Sequence, residues 1–357
     1  MYLFMPTLVY SKKDCVKNHF REIALTGEKA MIVTGKHSSR KNGSLDDVSA
    51  VLNQENISYI IFDDIEENPS VETVMRAREL AVSENVDFII GIGGGSPLDA
   101  AKAIALMAAN PEANEEVLYQ SNALPYLPII CIPTTCGTGS EVTPYSILTL
   151  HKQKTKKSIS HKIFPTLALL DTKYLKTANR SCIVNTSVDA LAHLIESYLN
   201  TNSNSLNRIY SEQGLRMWAE FKDNLKNDTL SEKDYERMLH TSMVAGIAIT
   251  HTGTSLPHGL SYAVTYELGV PHGKAVGMFL GGYVDNYKDK NEAGKVLELL
   301  GFSNAKEMRC YLNELLGKTE LSPELLSANA DSILANKGKL KNYPFKITKE
   351  ELINMPN

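Results

Sequence analysis

The sequence predicts an α/β half built on a parallel sheet, followed by an all-helical half. Three observations carry this reading. Short β-branched runs alternate with longer helical patterns through the first half, strand signals fade near residues 175–180, and long amphipathic stretches take over beyond. A length of 357 residues is ample for two domains with their own cores, expected at 1–178 and 179–357.

The elements follow in order. AMIVTG (30–35) reads as a strand, SLDDVSAVLNQEN (44–56) as a helix, ISYIIFDD (57–64) as a strand and VETVMRARELAVSE (71–84) as a helix. VDFIIGIG (86–93), PLDAAKAIALMAAN (97–110) and LPIICIPTT (127–135) continue as strand, helix and strand. Continuous apolar strands separated by helices imply a parallel sheet covered on both faces, with ligands at the carboxyl ends of the strands. In the second half, 186–200, 205–221, 234–250 and 295–302 carry helical spacing.

Composition narrows the function classes. Hydrophobic residues make up 43% and charged residues 22%, ordinary for a soluble globular chain, and a formal charge of −4 offers no basic surplus for nucleic acid. Five scattered cysteines without a CxxC pair speak against a disulfide framework or a thiolate zinc site, and fit a reducing cytoplasm. The segment MYLFMPTLVYSKKDC reads as neither signal peptide nor membrane anchor.

The strand at 86–93 runs into Gly93-Gly94-Gly95-Ser96-Pro97-Leu98-Asp99. Glycines allow close backbone approach, Pro97 suits a helix start, and the free amides there attract phosphate. The competing reading is a capped helix behind a tight turn, and the loop departs from GxGxxG. A second loop, Thr134-Thr135-Cys136-Gly137-Thr138-Gly139-Ser140-Glu141, ends the strand at 127–133 and tips the balance toward a nucleotide. Asn68-Pro69 is a further turn that would border an adenosine. After the first strand come Gly35, Lys36, His37, Ser38, Ser39, Arg40 and Lys41, with no acid before Asp46. If Gly35, Ser38 and Ser39 flank the ribose, that chemistry suits a 2′-phosphate and favours NADP over NAD.

In VDALAHLIE, helical geometry puts Asp189 and His193 one turn apart on one face, with Leu191, Leu194, Ile195 and Tyr198 opposite. Alone, this is a solvated helix face. Leu256-Pro257-His258-Gly259 and Val270-Pro271-His272-Gly273 change that, because each places an imidazole among small and apolar residues. One carboxylate and three imidazoles suit zinc, or divalent iron with open positions. Glu196 shares the Asp189 side of the helix and is placed for an outer role. His19, His37, His151, His161 and His240 receive no role, and His251 lines a cleft or the surface with equal weight.

These segments together resemble the iron-containing alcohol dehydrogenase family. GGGSPLDAAK, PTTCGTGSEVTP, DALAHLIE, HGLSY and PHGKA occur in the family's order, from YLFMPT to about residue 285 and more weakly beyond. TGKHSSRKNGSLDDV and EENPS look similar to 1,3-propanediol dehydrogenase-like members, and butanol dehydrogenase-like members are also similar. The resemblance implies a dehydroquinate synthase-like fold, a dinucleotide-binding α/β domain followed by a helical metal domain, with the active site in a cleft between them. It implies Fe(II) on Asp189, His193, His258 and His272, with zinc as the alternative. Gly94, Gly95 and Ser96 would hold the pyrophosphate, flanked by Thr134, Thr135 and Thr138. Lys157 matches a lysine near the cofactor ribose, and Asp99 an acid of the glycine-loop motif. The implied reaction is hydride transfer between NAD(P)(H) and a small primary alcohol, diol or aldehyde.

Three departures stand out. Tyr262 occupies a position where many members carry a histidine, Cys136 stands where alanine is commoner, and KNYPFKITKEELINMPN matches the family's ending loosely. The rival readings are a glycerol dehydrogenase-like or dehydroquinate synthase-like enzyme on the same scaffold, or a non-catalytic nucleotide-binding protein. The expected partner is a small alcohol or aldehyde, with no nucleic acid and no membrane; a homodimer is one assembly open to the chain.

Overall fold

The computed structural model describes residues 3–153 and 155–356, and Met1 and Tyr2 of the N-terminal segment lie outside them. Among the described residues the strands are β1 (Leu8–Ser11), β2 (Lys29–Thr34), β3 (Ser58–Phe62), β4 (Phe88–Gly93), β5 (Ile129–Pro133), β6 (Ile147–Leu150), β7 (Thr155–Ser158) and β8 (Leu167–Leu170). Helices of eleven residues or more are α1 (Ser44–Gln54), α2 (Val71–Ser83), α3 (Gly95–Ala108), α4 (Arg180–Tyr198), α5 (Arg208–Asn227) and α6 (Glu232–Thr252). They continue with α7 (Leu256–Leu268), α8 (His272–Asp285), α9 (Lys290–Leu300), α10 (Ala305–Leu316) and α11 (Pro323–Ala335).

Six strands form one sheet in the order β1-β8-β5-β4-β2-β3, every neighbouring pair parallel. Alternation along the strands divides their side chains between two cores. Met31, Val33, Ile89, Ile129 and Cys131 pack with Val74, Leu98 and Ile104 of α2 and α3. Ala30, Ile32, Phe88, Ile90 and Ile130 pack with Leu45, Val48 and Leu52 of α1. A sheet buried on both faces explains why β2, β4 and β5 read as unbroken apolar runs. β6 and β7 form a separate antiparallel hairpin. The order places the ends of β5, β4, β2 and β3 side by side, each leading into one of the loops singled out above.

The chain forms two compact units. One comprises Met5–Thr135 and Gly139–Ala178; the other comprises Asn179–Asn357 with Met1–Phe4 and Cys136–Thr138. The expected cut after residue 178 coincides with the change from one unit to the other at Ala178 and Asn179, and Cys136–Thr138 group with the helical unit. Gly137 packs so tightly on α4 that a Cβ there would fall 2.8 Å from the Thr186 carbonyl oxygen.

In the helical unit α4 is the central element, touching α5, α6 and α8. Every residue from Ser187 to Tyr198 is buried, so the Asp189 and His193 side of the helix is not a solvated face. A helix surrounded on all sides buries its polar residues too, and these must find partners. The sequence does not announce α7 and α8 as helices, because proline and glycine at their starts look like turns. Proline is tolerated in a first helical turn, and Gly273 lets α8 approach α4, where a Cβ would fall 1.8 Å from the Asn185 carbonyl oxygen. Among the described residues no helix is long and apolar enough to cross a membrane.

Candidate metal centre and nucleotide loops

The helical unit brings together all four expected ligands. Asp189 Oδ1 lies 3.4 Å from His258 Nε2, 3.6 Å from His272 Nε2 and 3.9 Å from His193 Nε2. Asp189, His258 and His272 form the tighter group, each offering a ligand atom within 4.8 Å of the others. His193 joins it one helical turn from Asp189, its ring stacked on His258 at 4.5 Å between centroids. Asp189, His193 and His258 are buried, whereas the His272 side chain is 31% exposed, which leaves access from that side.

The site's electrostatics follow from burying one carboxylate among imidazoles. Burial opposes ionisation of Asp189, yet His193, His272 and His258 together hold its carboxyl well below the usual range. Burial pushes the His193 pKa down to about 4. For His258 burial works the same way, but Glu196 and then Asp189 overcome it and raise the pKa to about 10. Asp189 Oδ1 and His258 Nε2 are buried and make no hydrogen bond. The negative charge that raises His258 would equally favour a divalent cation, which would displace the proton from Nε2 and meet Asp189 Oδ1 with two more imidazoles beside it. Oxygen and nitrogen donors without thiolate suit Fe(II) or zinc.

Glu196 supports this arrangement from behind. It is fully buried, accepts hydrogen bonds from the backbone N–H of Ser255 (2.5 Å) and His258 (2.8 Å), and lies 3.0 Å from His258 Nδ1. The carboxylate thus satisfies open amides at the start of α7 while turning Nε2 of His258 toward Asp189. His193 is steadied by contact of its Nδ1 with the Gly137 carbonyl at 3.3 Å. Tyr262 is half-buried, and its ring stacks on His272 at 6.1 Å. His251 takes a structural role, accepting the Phe4 N–H at 3.1 Å.

The sheet unit carries the glycine loop and, apart from Cys136–Thr138, the second loop expected to meet a nucleotide. Gly93 has φ +149, and a Cβ there would fall 2.6 Å from Pro97 Cγ, so only glycine makes this turn into α3. Gly94 abuts Thr135, whose Cγ2 would be 3.1 Å from an added Cβ. Gly94, Gly95, Ser96 and Thr135 are half-buried, as is Thr138; Thr134 is buried, its N–H bonded to the Gly93 carbonyl at 2.9 Å. Asn68 meets Ser96 directly, donating its N–H to Ser96 Oγ at 3.1 Å.

Four expectations change. Lys157 is exposed and holds its ammonium over the Tyr119 ring at 4.8 Å, while Lys156, its neighbour on β7, donates to Asn68 Oδ1 at 2.8 Å. Successive strand residues face opposite ways, so only one of the two lysines reaches Asn68. Ser39 is buried with an unbonded hydroxyl, leaving Ser38 as the exposed hydroxyl of its loop. Asp99 directs both carboxylate oxygens inward, to Ser140 Oγ (2.6 Å) and Ile147 N–H (2.9 Å). Finally, the basic loop after β2 does meet acids. Lys36 pairs with Asp64 at 2.8 Å and Arg40 with Asp63 at 2.8 Å, and Arg76 of α2 also meets Asp64 at 3.1 Å. Those acids come from the end of β3, adjacent in the sheet though distant in sequence. A pocket opens among Lys36, Asp64, Glu66, Arg76 and His151.

Sequence comparisons agree with this geometry. Residues 6–172 match the model for iron-containing alcohol dehydrogenase, and 183–341 match the C-terminal model of the Fe-containing alcohol dehydrogenase family. The chain is 29% identical over 300 residues to the NADPH-dependent butanol dehydrogenase of Clostridium saccharobutylicum, covering 81% of this chain and 76% of that one. It is 30% identical to the 4-hydroxybutyrate dehydrogenase of Clostridium kluyveri, covering 80% of this chain and 82% of that one. An iron-containing alcohol dehydrogenase structure from Thermotoga maritima superposes with a TM-score of 0.92 at 36% identity, covering 99% of this chain and 98% of that one. Motifs, parallel sheet, helical unit and ligand geometry converge on one conclusion: this chain belongs to the iron-containing alcohol dehydrogenase family, whose members carry out metal-dependent, NAD(P)-linked alcohol oxidoreduction.

Proposed function

We propose that this chain interconverts a small primary alcohol or diol and its aldehyde, with Fe(II) on Asp189, His193, His258 and His272 and NADP(H) as the preferred nucleotide. The observation that carries it is the convergence of Asp189 Oδ1 with three imidazole Nε2 atoms in a buried site with one more exposed edge. Bound there, a divalent metal supplies Lewis acidity to the substrate oxygen, and a nicotinamide exchanges the hydride.

The protein's own contribution is orientation and exclusion. Asp189 brings the negative charge that favours a cation, and Glu196 keeps His258 in a single orientation. Burial of three ligands keeps water from all but the His272 side. Tyr262 presents a phenol beside His272 at the position where many family members carry an imidazole, so this helix offers no histidine relay there. In the sheet unit, the start of α3 offers free amides to the pyrophosphate, and Lys156 adds a cation beside Asn68 and Ser96.

NADP rests on Lys36, Ser38 and Arg40 at the end of β2, and on the nucleotide named for the butanol dehydrogenase relative. NAD is the second reading, favoured by Asp63 and Asp64 beside those same cations. The scattered cysteines fit the reducing cytoplasm we assign, and a homodimer remains the proposed assembly.

The test strips the metal, restores Fe(II) or zinc separately, and follows oxidation of NADPH and NADH with short aldehydes. Activity is expected only after metal is restored, greatest with iron and NADPH. Undiminished turnover by metal-free protein would overturn the proposal.

A further inference from the structure

Lys102 and Asp99 lie one turn apart on α3, the helix that begins at the glycine loop, and the Lys102 side chain has no exposed surface. A buried ammonium is costly unless its donors are used. Here Nζ donates to Ser140 Oγ at 2.7 Å, to the Tyr145 carbonyl at 2.8 Å and to Thr143 Oγ1 at 3.3 Å. Asp99 accepts Ser140 Oγ–H at 2.6 Å and the Ile147 N–H at 2.9 Å, and its backbone carbonyl accepts Ser146 Oγ–H at 2.7 Å. Every one of these partners belongs to the stretch 140–147, which follows directly on the loop Thr134–Gly139. Ser140 sits at the centre, accepting from Lys102 and donating to Asp99.

We infer that Asp99, Lys102 and Ser140 form a largely buried clamp that sets the spacing between the two nucleotide loops, acting as positioning residues without touching the nucleotide. The inference rests on the nucleotide reading of those loops. Elsewhere the loops meet through the Thr134 N–H to Gly93 carbonyl bond and the contact of Gly94 with Thr135. Neither restrains the far end of the second loop, whereas the clamp anchors it to α3 two turns into the helix. The lysine and aspartate of GGGSPLDAAK therefore face away from any phosphate: their polar atoms are committed inside the sheet unit. The clamp is also polar where an apolar core would serve for stability alone. A serine hydroxyl bonded on both sides has little freedom to shift, which suits a part that fixes a distance.

The experiment uses the full-length, iron-loaded protein and two variants. Ser140→Ala removes the shared hydroxyl, and the double variant Asp99→Asn, Lys102→Met removes both charges without leaving one unpaired. NADPH and NADH dissociation constants are read from nicotinamide fluorescence, with iron content and thermal midpoint measured on the same samples. Losing one or two such bonds is expected to weaken both nucleotides by about tenfold, equally, with iron content unchanged. Variants that bind both nucleotides as tightly as the parent overturn the clamp while the nucleotide reading stands. A parent protein that binds neither nucleotide overturns that reading and the clamp with it. If the double variant fails to fold, Ser140→Ala alone decides, because it leaves the Asp99–Lys102 pair in place.

Discussion

Glu196 Oε2 stands 3.0 Å from Nδ1 of His258, on the side of the ring away from Asp189. The same carboxylate holds the first amides of α7, so one side chain both starts the helix and aims its ligand. Outer partners of this kind typically govern metal affinity by about 10–100-fold. Glu196→Gln should therefore lower iron affinity within that range in a chelator competition, while the nucleotide constants stay put. Parental iron affinity in the variant would show that the contact is only structural.

The four proposed ligands are not equivalent. Asp189 Oδ1 is the atom nearest all three imidazoles, and His193 lies farthest from it. Asp189→Asn should empty the site of iron, whereas His193→Ala should leave a measurable fraction bound. Metal per chain by elemental analysis checks this ordering, and the reverse order would contradict the geometry.

Nucleotide choice turns on Asp64, which pairs with both Lys36 and Arg76. All three side chains are well exposed, so the pairs are screened and individually weak. Asp64→Asn frees two cations for a 2′-phosphate and should shift the NADPH-to-NADH affinity ratio toward NADPH by no more than about fivefold. The shift should fade with added salt, since exposed charges are screened. A ratio that moves toward NADH would place the 2′-position elsewhere.

Glu141 is buried beside the clamp, and one of its oxygens has no partner. Burial pushes its pKa up to about 7, above the unfolded value of 4.5. Between those values the folded chain keeps a proton that the unfolded chain has released, so this residue's contribution to stability falls as pH rises and levels off above about 7. Glu141→Gln removes that slope and should gain about 3 kcal/mol on the parent between pH 5 and pH 8. Urea unfolding at the two pH values reads the difference directly. Parallel pH dependence in both proteins would mean that Glu141 ionises normally.

Much of this molecule was legible before folding. The runs at 30–35, 86–93 and 127–135 are apolar because β2, β4 and β5 are covered on both faces, and that pattern survives in one dimension. The four-residue strands β1 and β8 carry too little pattern to be recognised, and the glycine and proline heads of α7 and α8 mimic turns. Glu196 was placed on the correct side of its helix by periodicity, but its grip on His258 spans 62 residues and no local rule announces it.

The sequence by itself determined which residue types stand at the strand ends and which histidines accompany Asp189, because periodicity and short motifs are local properties. Tertiary structure decided the pairings. It set Lys156 rather than Lys157 against Asn68, brought Asp63 and Asp64 to the basic loop, and turned Asp99 inward to Ser140. The reason is physical: a side chain's direction and charge environment depend on strands and helices that become neighbours only when the sheet and the bundle close.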